Sequence, residues 1–507
     1  MTPSSVLPDI VIVVLDCGRS FDFPGGPEPV EGMRFLESLR PESVAYPRAV
    51  SPSAWTVPGH ASLFTGLYPW EHEVHMKSSL SLSPSVPTLA SRLRDRGYAT
   101  LSLSANGFIG PDFGLLGGFE DAAWGLWWEK FLRFPDRESP HRATWMPTVT
   151  AGTGVPPSEG SGRLPLGFAH RFIEGKDPVW MGPAVNLMNL GIRQLRYRDR
   201  TSALPVSPWI EPTLAAWLAK QNPDRPVFCF LNLLELHEPY VADPLDWSGP
   251  LRWGAAAFQR TDKIGFYSGR WQPSPREFAR LRSLYRAALR SIDRRIARIV
   301  EILRTAGRWR DSLFVLTGDH GQAFGERGYL YHAARVWEPV VRVPLWVRWP
   351  RGRGGGRTGE GWASLIDVAP TALEAAGLDP SPSVAGRPLD LLVDRPRDGP
   401  VYSVADGLQG KTQVERLAPE CVPRWDAPWV AAYQGSEKIL FDTGTDRFEA
   451  HDVERDRREE RDLFASDPTR FGSLTEGARE IAGRLVARVP ARIAPEVDQL
   501  LRSWGYD

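Results

Sequence analysis

Three unbroken apolar runs, each ending abruptly on polar residues, set the pattern of this chain. Ile10–Leu15 (IVIVVL) reads as a β-branched strand buried on both faces, as in the middle of a parallel sheet, and it stops at Asp16. Residues 227–234 (VFCFLNLL) repeat the pattern and run into Glu235-Leu236-His237-Glu238. Residues 312–317 (SLFVLT) do so again and lead into Gly318-Asp319-His320-Gly321. Helical spacing fills the intervals. Residues 87–97 carry periodic apolar positions and stop at Gly97, with a strand expected at 98–103. Over residues 275–305, Leu281, Leu284, Ala288, Ile292, Ile296, Val300 and Leu303 form one stripe, opposite arginines and ahead of Gly307. That helix should lie across one face of the sheet. A further strand is expected over 340–348 and a helix over 367–376, which completes an α/β pattern with a large, mostly parallel sheet.

Two regions depart from this rhythm. Residues 105–221 alternate Gly/Pro/Ser-rich pieces with tryptophan-rich ones (Trp124, Trp127, Trp128, Trp145), which predicts an inserted subdomain or lid with short helices of its own. Its aromatics either fasten the insertion to the main body or line a pocket for an apolar leaving group. Beyond residue 399 the signals shorten into a small antiparallel unit, including 437–441 and 452–453, and then a helix over 477–489. The expected organisation is a catalytic domain over 1–398 carrying the insertion, and a small α+β subdomain over 399–507.

The chain has 507 residues, enough for a large α/β domain and a smaller one. With 61 basic and 61 acidic side chains it has no overall field to recruit nucleic acid or an anionic membrane, so an anionic substrate must be held locally. Composition does not set the oligomeric state. Cys17, Cys229 and Cys421 are too far apart for a CxxC pattern and read as small apolar residues. The N-terminus has no basic n-region, and its apolar run is too short for a signal peptide or a span, so a cytoplasmic location is expected.

The chemistry is carried by residues 53–69 (SAWTVPGHASLFTGLYP) together with the strand ends. Pro58 suits a first helical turn, and a short helix is expected around 60–64, ending near Gly66. Taken alone, Thr56 is a helix N-cap. In open parallel sheets, however, ligands sit beyond the carboxyl ends of the strands. Asp16, Glu235 with His237, and Asp319 with His320 should therefore meet Thr56 at one edge, offering carboxylates, an imidazole and a hydroxyl to a hard or borderline divalent cation. A threonine hydroxyl is protonated at neutral pH, and a cation lowers its pKa. A tetrahedral anionic ester, phosphoryl or sulfuryl, suits such a site.

In this order of motifs the chain resembles the sulfatase family of the alkaline phosphatase superfamily over nearly all of its 507 residues. The motifs are Asp16 with Arg19, residues 51–69, Gly97-Tyr98, His237-Glu238-Pro239-Tyr240 and Thr317-Gly318-Asp319-His320-Gly321. Arg342-Val343-Pro344, Asp367-Val368-Ala369-Pro370-Thr371 and the tail over 452–463 follow. The resemblance implies an alkaline-phosphatase-like α/β/α sandwich and the metal ligands Asp16, Thr56, Asp319 and His320. It also implies a covalent intermediate on the nucleophile, resolved by water. His237 and His332 would flank the transferring group, binding its oxygens, serving as acid or base, or with Glu235 holding a second cation. One or two divalent ions per chain are thus implied, zinc or manganese ahead of magnesium or calcium.

Departures from the family carry information too. Sulfatases have Cys or Ser, oxidised to formylglycine, where this chain has Thr56, and Arg where it has His60. Threonine cannot give that aldehyde. The family's Lys-Trp-His element is replaced by Ala105-Asn106-Gly107, and Asn106 resembles the asparagine with which nucleotide pyrophosphatase/phosphodiesterases bind a phosphoryl oxygen. The expected activity is a metal-dependent hydrolase of phosphate diesters, monoesters or phosphonates acting on a small anionic ester. The alternatives are sulfuric ester hydrolysis, transfer of the group to an acceptor alcohol, and, last, a silent binding protein.

Overall fold

The structure is a computed structural model and describes residues 7–75, 78–124, 209–238, 240, 263–380, 384–389, 397–408, 417 and 419–486. Among these, seven strands make the central sheet. They are β1 (Ile10–Leu15), β2 (Val44–Ala45), β3 (Ala99–Ser104), β4 (Asp121–Trp124), β5 (Val227–Leu233), β6 (Leu313–Gly318) and β7 (Leu345–Arg348). Their spatial order is β2-β7-β6-β1-β5-β3-β4. The strand that opens the chain lies at the centre, parallel to β5 and β6, with Leu15 opposite both Leu233 and Gly318. That register brings Asp16 and Asp319, each one residue past its strand, to the same edge. β3 and β4 extend the parallel array, and β7 runs antiparallel between β6 and β2.

Every residue of β1, β5 and β6 is buried, as their apolar runs require, and β3, which alternates with Thr100, Ser102 and Ser104, is buried throughout as well. Val11, Val13 and Leu15 face a layer with Leu284, Ile292 and Ile296 of the Pro275–Thr305 helix and Leu214 of the Ile210–Leu218 helix. Ile10, Ile12 and Val14 face the other layer, with Leu63 and Phe64 of the Thr56–Thr65 helix, Leu93 and Val368. This is the expected α/β/α sandwich. The long helix starts where its sequence says it should. The Ser274 hydroxyl accepts from Glu277 N at 3.3 Å, the Glu277 carboxylate accepts from Ser274 N at 2.7 Å, and Pro275 occupies the first turn.

The C-terminal unit is a four-stranded antiparallel sheet, Val401–Ala405, Trp429–Gln434, Glu437–Asp442 and Arg447–Asp452, paired in that order. The Gly472–Val486 helix begins earlier than expected and packs on it.

Two expectations need correcting. Residues 340–348 are not one strand. A short Glu338–Val341 helix comes first, and Pro344, which has no N–H to donate, separates it from β7. The described ends of the expected 105–221 insertion belong to the main body, because β4 is an edge strand of the sheet and Ile210–Leu218 packs on it. Trp127, Trp128 and Trp145 lie outside the described residues. No helix among the described residues is long and apolar enough to cross a membrane.

Candidate active site

Thr56 is the first residue of its helix and not the cap. Trp55, extended at φ −157° and ψ 169°, holds the N-cap position and makes no side-chain capping bond, so the first-turn amides and the helix dipole face the Thr56 end. The helix sits close on the loop after β6, because a Cβ at Gly59 would stand only 3.2 Å from the Asp319 carbonyl oxygen. Thr56 Oγ1 lies 3.4 Å from His320 Nε2.

The strand ends supply the rest. Asp319 Oδ1 accepts from Cys17 N at 3.1 Å and His320 N at 2.8 Å, tying the β1 and β6 loops together. Its Oδ2 is buried without a hydrogen-bond partner among the described residues, 3.4 Å from His320 Nε2 and 3.7 Å from His60 Nδ1. Asp16 Oδ2 accepts from Asn106 Nδ2 at 2.6 Å, so Asn106 is committed to a ligand-type carboxylate here. Asn106 is itself fixed by Ser104 Oγ and by Phe108 N, which donates to its Oδ1 at 2.9 Å. Burial, then the neighbouring Asp319, pushes the Asp16 carboxyl up to about 6, and burial pushes Asp319 up to about 7. Two buried carboxyls so raised suit a site that binds a cation.

His60 lies behind the nucleophile. Its Nδ1 faces the Thr56 carbonyl at 2.9 Å, which can only accept, so Nε2 carries the lone pair that Asn232 Nδ2 approaches at 3.4 Å. Complete burial holds it neutral, with its pKa down to about 3, and makes it a positioning residue rather than a proton donor to substrate.

His320 Nδ1 likewise donates to the Gly321 carbonyl at 2.9 Å and leaves Nε2 facing Thr56 and Asp319. His332 stacks on His320 with ring centres 4.4 Å apart and pairs its Nδ1 with Gln322 Oε1 at 2.7 Å. Burial keeps the His332 pKa well below the usual imidazole range. His237, partly exposed, pairs Nδ1 with the Glu238 carbonyl at 2.7 Å, and its ring centre is 5.3 Å from that of His332. Arg19 is wholly buried behind this loop, bonded to Asp22, Glu326 and the Gln322 carbonyl.

Glu235 is not brought to this group. Its carboxylate is bound by buried Arg295, which also holds Glu211, so it fastens the loop after β5 to the long helix. Glu238 stands at the site instead. Its carboxylate meets Lys263 Nζ at 2.7 Å and Gln322 Nε2 at 3.3 Å, and against the upward push of burial, His237 and Lys263 hold it down to about 2. Sequence reasoning missed Asn232, Glu238, Lys263 and Gln322. Glu238 and Gln322 neighbour motif histidines and could have been found there; Asn232 looks like an interruption of a strand, and Lys263 carries no local signal.

The donor set fits a divalent cation. Asp16, Thr56, Asp319 and His320 offer three oxygens and one nitrogen, and Asp319 Oδ2, which has no hydrogen-bond partner among the described residues, lies 3.4 Å from the His320 Nε2 that pairs with Thr56 Oγ1.

A family model described as Sulfatase matches residues 8–378. Choline-sulfatase of Rhizobium meliloti (strain 1021) is 24% identical over 391 residues, 73% of this chain and 68% of the relative. Among solved structures, the phosphonate monoester hydrolase SpPMH from Silicibacter pomeroyi aligns over 94% of both chains with a TM-score of 0.61 and 19% identity. BT4656, solved in complex with its substrate D-glucosamine-2-N,6-O-disulfate, aligns over 99% of both with a TM-score of 0.63 and 12% identity. The structural likenesses carry the alkaline-phosphatase-like fold, and the family match spans every residue of the candidate site. The chain belongs to the sulfatase family and is an ester hydrolase.

Proposed function

We propose that this chain is a metal-dependent hydrolase of monoanionic tetrahedral esters, phosphate diesters and phosphonate monoesters first, acting through a covalent intermediate on unmodified Thr56. The observation that carries the reading is Thr56 Oγ1 at a helix N-terminus, 3.4 Å from a His320 nitrogen whose ring partner is already bonded. Asp16, Thr56, Asp319 and His320 would hold the cation, which when bound neutralises charge and favours the ionised hydroxyl.

The chain's own groups account for the rest. Thr56 Oγ bonds to phosphorus as the bond to the leaving oxygen breaks. Helix amides beyond Trp55 face the nonbridging oxygens. His60 fixes the Thr56 backbone from behind. His237 and His332 offer ring nitrogens to the water that hydrolyses the phosphothreonine. With His60, His320 and His332 held below the usual imidazole range by burial and Lys263 already paired to Glu238, the site is poor in fixed positive charge, which suits a monoanion better than a dianionic phosphate monoester.

A second reading, sulfuric ester hydrolysis, is supported by the family match and by the choline-sulfatase alignment, and a sulfate ester is also a monoanion. Transfer to an acceptor alcohol would use the same covalent step. The deciding experiment is turnover of matched aryl sulfate, phosphate monoester, phosphate diester and phosphonate monoester by metal-reconstituted wild type and Thr56→Ala. The expected result is preference for the diester or phosphonate, lost by about a thousandfold or more in the variant. Preference for sulfate would establish the second reading, and a fully active Thr56→Ala would remove the nucleophile.

A further inference from the structure

The loop that carries His332 runs on into a cluster of indoles and guanidiniums that the ester chemistry described above does not use. Arg335 is 4% exposed, and its Cζ lies 4.4 Å from the ring centre of Trp425, 4.8 Å from that of Trp429 and 5.8 Å from that of Trp337. It donates to the Ala334 carbonyl at 2.5 Å and the Arg424 carbonyl at 2.6 Å, and no carboxylate pairs with it among the described residues. Burial draws its pKa down to about 10, the mark of a cation short of countercharge. Arg424, exposed and likewise without a paired carboxylate among the described residues, lies over Trp425 at 4.8 Å. Arg327, which lies over Trp337, is by contrast already paired with Glu449 at 2.6 Å. The indole Nε1 atoms of Trp337 and Trp429 are both buried with no hydrogen-bond partner among the described residues, in rings whose centres are 6.3 Å apart. These two side chains are more than nine-tenths buried, at 8% and 7% exposed. An indole N–H and a guanidinium can only donate. The unmet capacity of the cluster is therefore all donor and its unbalanced charge all positive, and both are costly until an anionic acceptor meets them.

We propose that Arg335 and Arg424, with the Trp337 and Trp429 N–H groups, form a subsite for a carboxylate carried by the leaving group of the ester. Position makes the assignment. The chain from His332 to Arg335 spans at most about 11 Å, and within it Ala333 N donates to the Ala54 carbonyl at 2.9 Å, two residues before Thr56. Tyr329 ties the two places together. Its hydroxyl donates to the His332 carbonyl at 2.7 Å and accepts from Ala334 N at 3.2 Å, while its ring stacks on Trp425 and meets Trp337 edge-on. An alcohol of about one ring, with its acid on the far side from the ester oxygen, fits between. A planar carboxylate matches the fork of a guanidinium, and the indole faces hold that fork flat and shield it from water. The fixed positive charge that is scarce around Thr56 is thus found where the leaving group ends.

This inference rests on the hydrolase reading of the Thr56 centre, and a binding measurement separates the two. Turnover of 4-carboxyphenyl phenylphosphonate by metal-reconstituted protein is compared with that of its neutral isostere, 4-carbamoylphenyl phenylphosphonate, at constant ionic strength. Each kcat/KM is divided by the uncatalysed hydrolysis rate of the same ester, which removes the difference in leaving-group acidity. Binding of the two free phenols, 4-hydroxybenzoate and 4-hydroxybenzamide, is measured by calorimetry. Wild type should prefer the carboxylate by about tenfold or more in both, the discrimination that one charge-assisted hydrogen bond gives. Arg335→Met, which keeps an apolar stem against the indoles, should bring both ratios close to one. Arg424→Gln, at an exposed position, should lower them by about threefold, and it reports whether or not the Arg335 variant folds. Wild-type ratios near one, or ratios that neither substitution changes, overturn the subsite. So does 4-hydroxybenzoate that binds without competing with the ester, since the cluster would then take a free anion. A binding preference that both substitutions lower, with neither phosphonate turned over, keeps the subsite and removes the phosphonate reading of the Thr56 centre.

Discussion

At the scale of single residues, the protein carries buried titratable groups whose costs oppose one another. His60, His72, His320 and His332 are all held below the ordinary imidazole range by burial, the first two down to about 3. Asp16 and Asp319 are raised, to about 6 and about 7. A depressed imidazole gives stability that is complete above the unfolded pKa near 6.5 and is lost as pH falls below it, because the unfolded chain binds the proton. A raised carboxyl has the reverse effect, since the folded chain binds the proton between about pH 4 and its folded pKa. Between pH 6 and 5, the four lowered imidazoles outnumber the two raised carboxyls, so the unfolded chain binds more protons and stability falls with pH. Urea unfolding of chelator-treated protein should therefore show stability falling from pH 6 to 5, and stability equal or higher at pH 5 would contradict the imidazole assignments. Saturating zinc should steepen the fall, because ligated Asp16 and Asp319 no longer hold protons to offset the imidazoles. These residues were unequally legible in the sequence. Asp16, Asp319 and His320 stand where buried runs stop, whereas Glu235 and Glu238 are three apart after the same strand, and only the path of the turn decides which carboxylate meets Arg295 and which meets His237.

At the scale of elements, the site depends on β1 and β6 ending level. The two loops touch through glycines, since a Cβ on Gly318 would lie 2.4 Å from the Gly18 carbonyl oxygen and 3.0 Å from Gly18 Cα. Both contacts are with backbone, so no side-chain rotation relieves them. Gly318→Ala should part the strand ends that carry Asp16 and Asp319, at a cost of about 1–3 kcal/mol for the forced separation. Because ligands displaced by about 1 Å bind and react poorly, turnover should fall by about a hundredfold, beyond what the stability loss alone explains. Thermal melting and turnover at a temperature where the variant is fully folded check this, and wild-type turnover would show that the contact does not set the site. The three strands that build this edge were readable because burial on both faces imposes an unbroken apolar run. β2 and β4 are short edge strands with no such imprint, and β4 sits inside a stretch whose composition suggested an insertion. Pro344 marked the break before β7, but an apolar run on both sides of it disguised the change from helix to strand.

At the scale of the whole molecule, the C-terminal sheet reaches the candidate site through one buried ammonium. Lys438 lies in the Glu437–Asp442 strand, fully buried, and its Nζ meets Glu459 at 2.6 Å, the Val336 carbonyl at 2.8 Å and Glu338 at 3.2 Å. Glu338 also takes Arg342 at 3.1 Å and the Tyr433 hydroxyl at 2.9 Å, and its amide donates to Glu459 at 2.9 Å. The short helix that Glu338 opens then backs the ligand loop, since the Pro339 and Val340 carbonyls accept from Gln322 N at 2.9 Å and Gly321 N at 2.6 Å. Gln322 in turn orients His332 and Glu238. Nearby, Arg335 lies between the rings of Trp425 and Trp429, adding a second fastening between the sheet and the loop that carries His332. Lys438→Met keeps the length and apolar stem of the side chain but leaves Glu459 and Glu338 buried without their shared countercharge. That should cost about 3–5 kcal/mol, the range for breaking a buried ion pair from one side. Because the strain is delivered at Gly321 and Gln322, zinc affinity measured by calorimetry on the folded variant should fall as well, by about tenfold or more. A Lys438→Met, Glu459→Gln double variant, which removes the stranded charge, should recover part of both losses if charge is the cause. Recovery of neither would mean that the ammonium acts through packing alone, and a large stability loss with unchanged zinc affinity would mean that the C-terminal sheet holds the fold without reaching the site.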